Sequence, residues 1–396
     1  MSRRWARGLA KLVVVTAILA GAGPARAYSW MIRHDYTGCG QCHADPSGGG
    51  LLTLYGRAQG EVLLRSRYRA KEEEPGRQAL FLFGAFDLPE ILLLGGDFRG
   101  MMLDVQPEGA PSVSRFIFMQ SDLAAQLDID GVRLNASIGY ANEGALAASL
   151  THSPDHNLIS REHWLGVDLG ADRQFLLRGG RFALPFGVRF LEHTLWVRQA
   201  TRTDRNAEQQ YGVAFGGTVE GLRGEVMAIL GNLEVSPADF REYGYSGYLE
   251  WSVGNHAAVG LSSLVGYDKD DVVLLTSLWR QAHGAFARLC FWRPLVILAE
   301  SDLLVTSQPP GKTKIGAVGA LQADLEPWQG LHVIATAELS EQPPTDLAFS
   351  YGFWGSLAWF FAPHLDLRGD AIWQSMAIGA MRTSATTFLG QVHLFL

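Results

Sequence analysis

The 396-residue chain has only three cysteines, and after residue 27 it has no apolar run of the about 20 residues that a membrane-crossing helix needs. It contains no hydrolase triad, phosphate loop or zincin motif. Each absence excludes something. Cys290 lies far from Cys39 and Cys42 and has no paired C-x-x-C, so a four-cysteine zinc site cannot be built. No βαβ pattern surrounds the first pair, which argues against a thioredoxin-like site. Charged residues make up only 18% of the chain, and the acids outnumber the bases. An acidic chain is a poor partner for nucleic acid and a better one for cations.

The basic residues it does have begin at the N-terminus. Arg3, Arg4, Arg7 and Lys11 precede an apolar stretch from Leu12 to Ala22, and Ala25-Arg26-Ala27 has the small-x-small form of a cleavage site. Residues 1–27 therefore read as a signal peptide. The alternative is an uncleaved anchor helix, for which the apolar run is short. Arg3-Arg4 is only a faint twin-arginine signature. Cleavage after Ala27 removes five bases and leaves 28 against 40 acids, a net charge of −12 on an exported protein.

Soon after comes Cys39-Gly40-Gln41-Cys42-His43, the C-x-x-C-H pattern of c-type haem attachment. Thiols at this spacing reach the two vinyl groups of one porphyrin and form thioethers, and the adjoining His43 lies over the iron as proximal axial ligand. A redox disulfide, half a metal site and coincidence are the competing readings of the same five residues. The sixth iron ligand stays open: His34 leads, Met31 is near the motif, and His152, His156 and His163 sit on or beside a predicted loop. A water-bound or open site is a further option.

From about residue 80, segments of roughly ten residues rich in glycine and aromatics recur between turn signals, which points to an all-β architecture. In 365–374, Leu365, Leu367, Gly369, Ala371 and Trp373 alternate with Asp366, Arg368, Asp370, Ile372 and Gln374. The same dyad runs through 132–140 and 243–252. A soluble sandwich can show it too. Repetition over some sixteen segments, with hardly any helix signal, favours a transmembrane outer-membrane β-barrel with lipid-facing and lumen-facing residues in alternation. Seventeen strands are counted, at 98–106, 114–129, 132–142, 161–170, 174–184, 211–220, 222–231, 243–253, 256–267, 272–281, 284–292, 295–306, 314–325, 331–340, 347–361, 364–374 and 385–396. Bacterial barrels are normally even-numbered, so about 16 antiparallel strands are expected. The last segment carries a stripe of Phe388, Gly390, Val392, Leu394 and Leu396, with the aromatic Phe395 penultimate. Three parts follow: the signal at 1–27, a haem-binding segment and linker at 28–75, and the barrel at 76–396.

A signal peptide, one C-x-x-C-H and a barrel of this size resemble the fused monohaem cytochrome–porins of the outer membrane. The local likeness covers roughly residues 30–60: Arg33, Thr37-Gly38, Cys39 to His43, Pro46 and Leu54-Tyr55-Gly56-Arg57. Gly38 directly abuts Cys39, and Ser47-Gly48-Gly49-Gly50 is looser than usual in that family. The resemblance implies a redox protein rather than a conventional enzyme. It would hold one covalent haem c in the outer membrane of a Gram-negative bacterium, passing electrons between a periplasmic carrier and an external species, with ferrous iron as a candidate donor. The rival readings are a passive porin whose haem is structural, sensory or absent, and a soluble periplasmic β-protein carrying haem.

Other features are less specific. Residues 28–75 are too few to build a large core alone and should lean on the barrel interior. The run Lys71-Glu72-Glu73-Glu74-Pro75-Gly76 reads as a solvated linker. Arg178, Arg181, Arg189, Arg198, Arg202 and Arg205 face only Glu192 and Asp204 within their own segment. They suit either a lumen constriction with haem-propionate contacts or a solvated loop. Asp268, Asp270 and Asp271 look like a charged turn, Cys290 like a packed core residue, and Pro185 like a strand end.

Overall fold

The computed structural model describes residues 29–66, 77–142, 148–151, 153–205, 208–231, 242–271, 274, 276–311, 313–341, 349–378 and 381–396. The signal peptide, the charged run at 71–76 and His152 lie outside the described residues. The rest is dominated by one antiparallel sheet. Its strands are β1 (Leu92–Pro107), β2 (Val113–Ile129), β3 (Val132–Ala141), β4 in two segments (Asn157–Ile159 and His163–Leu169), β5 (Phe175–Ala183), β6 (Gln209–Val219), β7 (Leu222–Gly231) and β8 (Glu242–Val253). Then follow β9 (Ala257–Asp268), β10 (Leu278–Trp292), β11 (Leu295–Ser307), β12 (Lys314–Trp328), β13 (Leu331–Glu341), β14 (Ser350–Ala362), β15 (Leu365–Ile378) and β16 (Met381–Phe395). Each strand pairs with its sequence neighbours, and β16 pairs back onto β1 from Phe395 opposite Asp97 to Ala385 opposite Pro107. The result is a closed 16-stranded β-barrel with no free sheet edge among the described residues.

The strand count corrects the sequence reading at one place. Segments 272–281 and 284–292 are not two strands; residues 278–292 form the single strand β10. Gly284 is no turn residue. It sits mid-strand because a Cβ there would run into the Asp302 carboxylate and the Ser301 carbonyl on β11. Residues 161–170 also change: β4 is interrupted between Ile159 and His163, where Ser160, Arg161 and Glu162 are all buried in succession. Arg161 pairs with Asp122 and Glu162 with Arg205, so two neighbouring ionic side chains are held inward and the alternation breaks. Strand β1 begins six residues earlier than read, at Leu92, and passes through Gly95-Gly96. A Cβ on Gly95 would strike Leu51 and the Leu396 carbonyl, so this glycine lets the N-terminal segment and chain end pack against the wall.

Alternation sorts the wall into two faces. Val132, Leu134, Ile138, Tyr243, Leu249, Trp251, Leu367 and Trp373 are exposed on the outside, while Asn135, Ser246, Glu250, Asp366 and Asp370 are buried on the inside. Leu396 departs from the expected outer stripe and is buried against the interior. An outward apolar band around a polar interior is what a lipid-spanning barrel requires.

Two segments fill that interior. Residues 29–66 enter from the end of the short turns, where Ser66 donates to the Phe360 carbonyl and Gln329 reaches the carbonyls of Val62 and Arg65. Arg33 bonds Asp324 at 2.6 Å and Glu326 at 2.9 Å, and the Arg288 guanidinium binds the Thr37 carbonyl. The short helix α1 (Leu54–Gln59) starts at Thr53, whose hydroxyl accepts from the Gly56 N–H. The second segment, residues 184–205, leaves β5 and folds inward around α2 (Trp196–Thr201). Leu184, Phe186, Leu195 and Val197 are buried there among Met227, Leu264, Leu304, Val318, Trp354 and Ile372 from six strands of the wall. This part of the lumen is packed with apolar side chains, where a water-filled channel would be lined by polar ones.

The outward face carries a direct expectation. Leu321→Arg, at the middle of β12, should cost about 2–4 kcal/mol in reversible unfolding from lipid bilayers, and Ile315→Arg near its end only about 0–1 kcal/mol. Equal costs at the two positions would place this face out of lipid.

Candidate functional site

The residues of C-x-x-C-H form one tight turn. The N–H groups of Cys42 and His43 donate to the Cys39 carbonyl at 3.1 and 3.0 Å. The turn is held from behind by Thr53 N–H on the Cys42 carbonyl and Ala44 N–H on the Leu51 carbonyl, both at 2.9 Å. Gly56 of α1 lies so close to the Cys42 backbone that a Cβ would collide with it. All three cysteines are buried thiols. The Arg223 guanidinium sits 3.4 Å from the Cys39 sulfur, and Cys290 packs in a cluster with Trp30, Met31 and Val296.

After the motif the chain bends through Gly48, Gly49 and Gly50 with φ of 98°, 88° and 61°. This left-handed run is the physical reason for the loose glycine-rich stretch, since the Arg205 guanidinium occupies the space a Cβ on Gly49 or Gly50 would need. Asp45 anchors the bend. It accepts from the Ser47 N–H and hydroxyl at 2.9 Å each and from Arg178 at 2.9 Å; Arg178 also bonds Glu225 at 2.6 Å. Burial alone would raise the Asp45 carboxyl, but Arg178, Arg205 and Arg189 outweigh it and hold it below the usual range. Burial, reinforced by Arg205, pushes the His43 imidazole down to about 4 against the pull of Asp45 and the Gly49 and Gly50 backbone. His43 is therefore neutral at physiological pH, the form that can ligate a metal.

Cys39 and His43 open onto a cavity of about 1370 Å³, counting the space continuous with solvent. Much of that space is open to solvent, and the enclosed part is about 160 Å³. The wall combines the N-terminal segment, parts of β1, β2 and β3, the in-folded loop and the chain end. Arg99, Arg161, Arg189, Arg198 and Arg205 contribute to it. Cys42 is buried just behind this wall, so its sulfur would have to turn toward the cavity for a second thioether. Among the described residues no group of three His, Cys, Asp or Glu side chains converges as a protein-only metal centre.

The six arginines read from the sequence are resolved in favour of the lumen. Their partners come from far along the chain: Glu225 and Asp45 for Arg178, Glu300 for Arg198, Asp271 for Arg202 and Glu162 for Arg205. Arg189 binds the Ser47 hydroxyl and the Leu184 carbonyl, both on backbone segments beside the cavity. Asp271 thus belongs to an ion pair with Arg202, and Pro185 follows the end of β5.

The proposed sixth ligands are not brought to the cavity. His34 lies 3.8 Å from Glu326 near the short turns, and Met31 is buried in the cluster around Trp30. His163 is bonded by Ser160 and Tyr211, and His156 stacks on Tyr140. The imidazoles that share the cavity with His43 are His193 and His393. No local pattern marks either one in the sequence; only barrel closure and the inward fold of the loop place them there.

No protein-family model matches the chain, and no curated protein does. Solved structures do. A loop-deletion mutant of OmpT, an outer membrane protein of Vibrio cholerae, superposes with a TM-score of 0.58 at 11% identity, covering 77% of this chain and 99% of that one. An anion-selective porin from Comamonas acidovorans gives 0.57 at 13% identity over 77% and 99%, and the outer membrane channel DcaP of Acinetobacter baumannii 0.55 at 11% over 77% and 97%. At such identities the likeness is one of fold: the chain has the closed β-barrel fold of outer-membrane porins.

Asp45→Asn should loosen the docked segment without opening the barrel. Losing the charge-assisted bond to Arg178 costs about 2 kcal/mol. Trypsin cleavage within residues 29–66 in detergent should then accelerate by roughly thirtyfold. An unchanged cleavage rate would show that Asp45 does not hold the segment.

Proposed function

We propose that this protein carries one covalent c-type haem inside the lumen of an outer-membrane barrel and passes electrons between the two faces of that membrane. The observation that carries the reading is the placement of Cys39 and His43 on the wall of a large, arginine-lined cavity inside the barrel. A bound haem supplies one-electron redox chemistry there. The chain's own groups have distinct tasks. The thiols of Cys39 and Cys42 would attach the group, and the neutral His43 imidazole would offer a nitrogen lone pair to its iron. Arg189 and Arg205 on the same wall would supply positive charge to acidic substituents.

Two further observations support electron passage over solute passage. Residues 29–66 plug the short-turn end, which is the periplasmic side in such barrels, and the loop at 184–205 fills the lumen beyond with apolar side chains. An apolar band about 25 Å tall is wide for a single electron jump, and a redox group held within the lumen divides it. A periplasmic carrier is the natural partner at the plugged end. An external species, ferrous iron by the family resemblance, belongs at the opposite end. Export by the signal at 1–27 to a Gram-negative outer membrane is part of the same proposal.

The porin fold itself favours a second reading, a passive channel in which any haem is structural or sensory. Purification from an outer-membrane fraction separates the two. The wild type should show covalent haem with an α-band on reduction, the Cys39→Ala/Cys42→Ala variant none, and planar-bilayer recordings should show almost no open conductance. Haem-free wild type with steady ion conductance would establish the channel reading instead.

A further inference from the structure

We infer that His193, on the in-folded loop, is the second axial ligand to the iron, trans to His43; this rests on the haem reading above. His193 lines the same cavity as Cys39 and His43. Its two nitrogens are differentiated by their neighbours. Nδ1 lies 3.3 Å from the Asp204 carboxylate, while Nε2 lies 3.3 Å from Nη1 of Arg99. A guanidinium has only donors and stays charged, so Nε2 must be the accepting, unprotonated nitrogen and Nδ1 carries the proton toward Asp204. A carboxylate on one nitrogen and a lone pair on the other is the arrangement of a metal-binding histidine with its supporting group. That nitrogen faces the Arg99 side chain on the cavity wall, which also contacts Asp97 at 3.3 Å, and a metal ion would take the place of the Arg99 contact.

The loop holds this imidazole in place. Glu192, the preceding residue, is paired with Arg368 at 2.7 Å, and the Trp196 N–H three residues on donates to Glu338 at 2.9 Å. His393, the other imidazole on the cavity, is bonded through both nitrogens, to Asp366 at 2.7 Å and Asp97 at 2.9 Å, and has no lone pair to offer. His34 and His163 are outside the cavity.

The test uses purified full-length protein with its haem attached, read by electron paramagnetic resonance and visible absorption of the ferric form. The wild type should be low-spin with two nitrogen ligands. His193→Ala should lose the low-spin signal and become high-spin while keeping covalent haem and heat-modifiable gel mobility, and added imidazole should restore the low-spin spectrum. His34→Ala should leave it unchanged. Should His193→Ala fail to assemble, His193→Met provides the same test by replacing the nitrogen signature with a sulfur-to-iron charge-transfer band. An unchanged low-spin spectrum in either His193 variant, or a high-spin wild type, overturns the assignment and leaves haem attachment intact. A wild type without covalent haem overturns the preceding reading instead.

Discussion

A β-sheet in lipid cannot leave an edge unpaired, because each open N–H and C=O in hydrocarbon costs several kcal/mol with no water to relieve it. The ladder between β1 and β16 removes that edge, and the rest of the structure follows from it. Closure with sixteen strands encloses a lumen wider than side chains alone can fill. The alternation that gives lipid an apolar outside sends Glu250, Asp324, Arg223 and Arg288 inward. Those inward charges need partners, and the chain supplies them by folding two of its own segments into the space.

The interior is accordingly organised by ion pairs between residues distant in sequence. Glu250 is shared by Arg223 and Arg288, Arg33 by Asp324 and Glu326, and Arg178 by Asp45 and Glu225. Desolvation offsets much of the attraction within such pairs, so their net contribution to stability is small. Their effect is on position, because a guanidinium left without its carboxylate is costly and only one docking of the N-terminal segment satisfies all of them. Apolar packing completes the arrangement at the loop, where α2 and its flanks dry the lumen.

Much of this wall was legible in the sequence because alternation is local: the dyads at 132–140, 243–252 and 365–374 fall on their observed faces. Failures came where one residue type serves two ends. The segments read at 272–281 and 284–292 meet in one strand, in which Gly284 packs opposite Asp302, and β1 begins at Leu92, six residues before the segment read at 98–106. Arg161 and Glu162 broke the period of β4 by pairing inward. The motif at 39–43 is visible in the sequence because it spans only five residues, and in the structure those residues form one turn. The environment around it was not: Asp45 meets Arg178 across more than a hundred residues, and His193 reaches the cavity on a loop whose inward fold leaves no periodic trace.

The burial of Cys39 and Cys42 within the docked segment bears on how the protein is made. A thiol enclosed by a finished barrel is out of reach of any enzyme that joins it to a porphyrin. On the haem reading, attachment has to occur on the exported chain while residues 29–66 are still outside the lumen, and insertion into the membrane has to wait for it. Biogenesis would then run in a fixed order, with the loaded segment acting as a template around which the strands close.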